Sequence, residues 1–106
     1  MLDKTFAILN GRVVLPDRLV TGKALLVEDG RIVGLTGVDD LSDDLQRIDA
    51  GDRLVAPGLI DIHTHGALGH TFNEPTAEAF GVITAENVRR GVTSLLTLFL
   101  HDALPI

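Results

Sequence analysis

His63 and His65 carry the sharpest chemical signal in the chain, one residue apart in the run Ile62–His63–Thr64–His65–Gly66. Residues i and i+2 of a strand point to the same face, so two imidazoles at this spacing can reach one ion. Neutral imidazole suits zinc, iron, manganese or nickel, at about 2.0–2.1 Å in the zinc case. Asp61 precedes His63 on the same face, placed to orient an imidazole from behind. Gly66 removes a side chain where a ligand would approach. A His-x-His pair also occurs as two ordinary surface histidines, so its weight rests on its surroundings. His70, in the following loop, reads first as an ordinary solvated histidine and second as a candidate substrate contact. Asn73 and Glu74 read as residues that cap or brace that loop.

The surroundings are a strand before the pair and a helix after it. Leu59–Ile62 is a compact apolar strand, and a glycine-containing loop runs from His65 to Pro75. Thr76 is a natural helix N-cap, with Glu78 in the first turn where the helix dipole favours an acid. Phe80, Ile83 and Asn87 fall on one helical face with Ala79 and Val88 beside them, which predicts one buried stripe. Arg89 and Arg90 suit the last turn, and Gly91 suits the residue after it. Val92–Leu96 is a second strand. Strand, helix and strand form one βαβ unit and predict a parallel pair.

Upstream, Phe6–Leu9, Arg12–Leu15, Ala24–Val27, Arg31–Leu35, Gln46–Asp49 and Arg53–Val55 read as short strands. Asp29–Gly30 between two apolar runs predicts a type I′ hairpin, whose two central residues need positive φ. Residues 37–44, with Asp39, Asp40, Asp43 and Asp44, read as a solvated acidic connector; their spacing does not match a calcium loop.

Composition narrows the classes. The 106 residues are 45% hydrophobic and 23% charged, the balance of a folded globule. There are 9 Lys+Arg against 15 Asp+Glu, a net charge of −6, and no Trp or Tyr. Nucleic-acid binding needs a basic patch and usually stacking aromatics, so no nucleic-acid partner is expected. No apolar run approaches the roughly 18 residues of a membrane helix, so no membrane partner is expected either. The absence of Cys excludes a disulfide scaffold and thiolate ligands, and suits a cytoplasmic location.

The segment Val55–Ala56–Pro57–Gly58–Leu59–Ile60–Asp61–Ile62–His63–Thr64–His65–Gly66 resembles the signature of the amidohydrolase superfamily. In that family a PG-hydrophobic-IDxHxHG run ends the first barrel strand, and both His bind a catalytic metal. The Glu28–Ile32 hairpin is similar to one in the family's N-terminal β-sandwich. Within the superfamily, His65–Glu74, Thr76–Phe80 and Arg90–Leu96 resemble the N-acetylglucosamine-6-phosphate deacetylases, with their HxHGxxGxxF, TxEA and GxTSLL patterns. Dihydroorotases, hydantoinases and adenine deaminases share the first motif and are less similar after it.

The resemblance covers residues 5 to about 96 and implies an α/β fold. Residues 1–56 would be part of a small β-sandwich, and 57–96 the first βαβ unit of an incomplete (β/α)8 TIM barrel. It implies a divalent metal ion, zinc, iron or similar, held by His63 and His65, with Asp61 behind them. The implied substrate is an amino-sugar phosphate, and the implied whole enzyme a homodimer. The family's catalytic Asp ends the eighth strand and its other ligands come from strands 3 to 6, so this chain alone is expected to be inactive. Some members of the deacetylase branch lack the two His and hold one metal elsewhere; this chain keeps both.

Residues 97–106 fit neither pattern. Leu100–Ile106 can be encoded by CTACACGACGCTCTTCCGATC, which resembles the end of a common DNA-sequencing adapter. The tail is expected to be non-native, with genuine sequence ending between Leu96 and Phe99.

Overall fold

A computed structural model describes residues 4–98, and the chain divides into two compact units, Met1–Pro57 and Gly58–Ile106. The tail beyond Leu98 lies outside the described residues. The described chain is a strand-rich α/β structure.

The first unit holds β1 (Phe6–Leu9), β2 (Arg12–Val14), β3 (Leu19–Val20), β4 (Ala24–Glu28), β5 (Arg31–Thr36), β6 (Arg47–Asp49) and β7 (Leu54–Val55). They form a four-stranded sheet in the order β5-β4-β1-β6 and a three-stranded sheet in the order β3-β2-β7. The β4–β5 turn has the predicted chemistry: Asp29 and Gly30 have φ of 48° and 74°, the left-handed values a type I′ turn requires. Ala7 and Ala24 are fully buried on one face of the larger sheet and pack with Leu41, Leu9, Leu26 and Leu45. On the other face, Leu25 and Ile32 join Val13, Val14 and Val55 of the smaller sheet around an apolar cavity of about 210 Å³. The acidic connector contains a single short 3-10 turn, Val38–Asp40, with no buried residue.

The second unit holds β8 (Leu59–Thr64), β9 (Gly66–Ala67), β10 (His70–Thr71), α1 (Ala77–Arg89) and β11 (Val92–Thr97). β8 and β11 pair in parallel across the helical crossover, as the βαβ reading predicts. β11 runs through Thr97, which pairs with Thr64, one residue beyond the expected end at Leu96. The Thr76 hydroxyl accepts the Ala79 N–H at 3.1 Å and caps α1 as expected. Arg89 and Arg90 both pair with Glu86, at 3.2 and 2.8 Å, so the last-turn cations have a partner on their own helix.

Two expectations change. The buried stripe of α1 narrows to Ala79 and Ile83, because Phe80 is 38% exposed and Val88 is 70% exposed. Asn87 lies half-buried and donates to the Ile83 carbonyl of its own helix at 2.8 Å. The loop between the histidines and Pro75 is also more ordered than a loop, since β9 and β10 form a small antiparallel hairpin, His70 opposite Ala67 and Thr71 opposite Gly66.

Candidate metal centre

β8 delivers Asp61 and His63 to one face by its period of two, and His65 follows directly after the strand ends at Thr64. The imidazoles of His63 and His65 meet edge to face, their ring centroids 5.2 Å apart. That separation lets both rings reach one ion at the roughly 2.0–2.1 Å of a zinc–imidazole bond. His63 is exposed and His65 half-buried. The Asp61 carboxylate accepts the main-chain N–H of His63 at 3.0 Å, so it fixes the backbone at the strand end.

Nδ1 of His65 is buried and has no hydrogen-bond partner among the described residues. A buried polar nitrogen left unpaired carries its full desolvation penalty. In the tautomer that leaves Nδ1 unprotonated, its lone pair fits a divalent ion, so the imidazole of His65 suits the implied metal. Among the described residues no cluster of three or more His, Cys, Asp or Glu side chains converges, so these two rings are part of a coordination sphere and not the whole of one.

The hairpin after the pair accounts for Gly66 differently from the sequence reading. A Cβ at Gly66 would stand 2.0 Å from the His70 carbonyl oxygen and 2.8 Å from Thr71 Cα. The glycine is required because β10 lies across it. His65 shares in the same arrangement, its carbonyl accepting the Phe72 N–H at 2.9 Å. Phe72 is 2% exposed and packs edge to face on Phe80 of α1, centroids 5.4 Å apart.

His70, the candidate substrate contact, sits half-buried with Nδ1 3.1 Å from Glu74 Oε2. The other carboxylate oxygen of Glu74 accepts the Thr71 N–H at 2.8 Å. These bonds, the Thr71 N–H first and His70 second, hold the Glu74 carboxyl below the usual glutamate range. Glu74 therefore braces the hairpin, as its sequence position suggested. Its pairing with His70 was not readable there: the i, i+4 spacing was present, but no helix brings those positions together.

No protein-family model matches the chain. Over 63 residues it is 46% identical to an imidazolonepropionase of Klebsiella pneumoniae, covering 59% of this chain and 15% of that protein. Over 59 residues it is 48% identical to a dihydroorotase of Syntrophotalea carbinolica, covering 55% of this chain and 14% of that protein. Among solved structures it is similar to N-acetylglucosamine-6-phosphate deacetylase from Pasteurella multocida, with a TM-score of 0.79 and 29% identity. That match covers 88% of this chain and 25% of the other. The chain thus spans about 15% of the length of the curated relatives it matches. Together these similarities support the amidohydrolase superfamily.

Proposed function

We propose that this chain is the metal-binding start of an amidohydrolase-superfamily hydrolase that removes the acetyl group of N-acetylglucosamine 6-phosphate, giving glucosamine 6-phosphate and acetate. The observation that carries this reading is the structural similarity to the Pasteurella deacetylase, which extends over most of the chain and across both units. The sequence patterns after the histidines, from His65 to Glu74 and from Thr76 to Phe80, point to the same branch.

In this reading His63 and His65 hold a divalent ion. When bound, the ion supplies Lewis acidity toward an amide carbonyl and toward water. His65 contributes from a half-buried position and His63 from an exposed one, so the pair spans the boundary between protein and solvent. Asp61 holds the His63 main chain, and the β9–β10 hairpin holds that of His65. The proton delivered to the leaving amine comes from a carboxylate outside this sequence, acting as general acid.

A second reading follows from the curated relatives. Their names, imidazolonepropionase and dihydroorotase, favour hydrolysis of a cyclic C–N bond. The deciding experiment expresses the full-length enzyme that carries this chain, with zinc or iron supplied. Release of acetate from N-acetylglucosamine 6-phosphate, lost with its metal in His63→Ala and His65→Ala, supports the deacetylase. Turnover of dihydroorotate or an imidazolone with no acetate release would sink it in favour of the second reading.

A further inference from the structure

Glu74 stands apart from the two histidines in sequence, yet its contacts lead back to one of them. Its two carboxylate oxygens divide between Thr71 N–H and His70 Nδ1, at 2.8 and 3.1 Å. Both partners belong to β10, whose next residue, Phe72, donates its N–H to the His65 carbonyl at 2.9 Å. β10 in turn pairs with β9, which begins directly after His65. One carboxylate thereby fixes the strand that fixes the main chain of His65.

We propose that Glu74 is a positioning residue: it holds the β9–β10 hairpin so that His65 presents its imidazole beside His63. The hairpin needs such a brace. Each of its strands has two residues, and an isolated hairpin of that size is not stable in water. Phe72 anchors the hairpin to α1 by apolar packing, which resists separation but leaves sliding and twisting cheap. A carboxylate bonded to a main-chain N–H and an imidazole is directional and removes that freedom. Gly66 completes the device, since its lack of a side chain lets β10 lie directly over the residue after His65.

The inference rests on the metal reading for its affinity arm only. The experiment compares wild type, Glu74→Ala, Glu74→Gln and Ile83→Val in the full 106-residue chain at low micromolar concentration. Its two readouts are hydrogen exchange at single-amide resolution and zinc titration. Glu74→Ala is expected to speed exchange of the Thr71 and Phe72 amides about tenfold or more, the scale of one lost charge-assisted hydrogen bond. It is expected to weaken zinc binding by roughly tenfold, as loss of a group that orients a ligand does. Glu74→Gln keeps a carbonyl oxygen for Thr71 N–H and an amide for His70, so it should restore most of both. Ile83→Val lowers overall stability while leaving both hydrogen-bond partners of Glu74 in place, and should leave the two amides and the zinc affinity near wild type.

Wild-type exchange at Thr71 and Phe72 in Glu74→Ala would overturn the proposal. So would the same losses in Ile83→Val. Should the wild-type chain take up no zinc, or His65→Ala bind it as well as wild type, the ligand reading fails, and the exchange arm still decides the role of Glu74.

Discussion

At Gly66 a single hydrogen atom decides whether the hairpin can form. Any side chain there meets backbone, the His70 carbonyl oxygen at 2.0 Å, which cannot rotate aside as a flexible side chain could. Gly66→Ala should therefore cost about 3 kcal/mol or more, at the upper end of overpacking, measured by urea unfolding. An unchanged midpoint would show that β10 does not lie across this residue. Glu74 makes a second prediction, through acid. Its folded-state pKa is lowered from 4.5, so its stabilisation is fully present above that value and is lost as pH falls through the lowered one. Asp44, Asp49 and Glu86 are shifted the same way, by Ser42, by the Gly51 N–H and by Arg90 respectively. Stability should hold from neutrality to about pH 5 and decline below it, with the decline shallower in Glu74→Gln. A chain that grows more stable on acidification would contradict all four contacts.

Elements differ in how plainly the sequence announces them, and the difference is physical. The Asp29–Gly30 turn, the Thr76 cap and the parallel β8–β11 pair follow from local chemistry, and each forms where the residues predict. β3, β9 and β10 have two residues each, too short for any alternation of apolar and polar side chains to register. What holds β9 and β10 is non-local: a phenylalanine from beyond the hairpin against the helix, and a carboxylate folded back on it. At the candidate metal centre the two histidines were legible by type and spacing, while the brace on His65 was not. Val88 shows the opposite error, an apolar residue at helical spacing left exposed because α1 buries a narrow face of Ala79 and Ile83. Within α1, Thr76→Ala should cost about 1 kcal/mol by loss of the cap. Gly81→Ala should add about 0.5–1 kcal/mol, since an alanine there meets nothing within 4 Å and removes backbone freedom from the unfolded chain. Thermal midpoints moving in opposite directions check both; a lower midpoint for Gly81→Ala would mean an unseen contact at that face.

For the molecule as a whole, the second unit exposes more apolar surface than a parallel sheet tolerates. Parallel strands are normally covered on both faces, and their sequences are apolar for that reason. Here Ile60 and Ile62 share one face of β8 and are 70% and 72% exposed, with Leu59 and Leu96 also open to solvent. No described element of this unit covers them, and two strands are about a quarter of what a closed (β/α)8 barrel supplies. The same shortage limits the chemistry, since two imidazoles leave at least two positions of a four-coordinate ion unfilled from this chain's described residues. Open sheet edges and contiguous aliphatic surface promote association. The isolated chain should therefore sediment as concentration-dependent oligomers and show no acetamide hydrolysis with zinc present. Ile60→Lys with Ile62→Lys should shift it toward monomer without creating activity, because the charges block the apolar face and supply no ligand. A wild-type chain that stays monomeric over a wide concentration range would mean that some other part of it covers β8. Metal-dependent turnover by that monomer would mean that two histidines and their braces form a sufficient site.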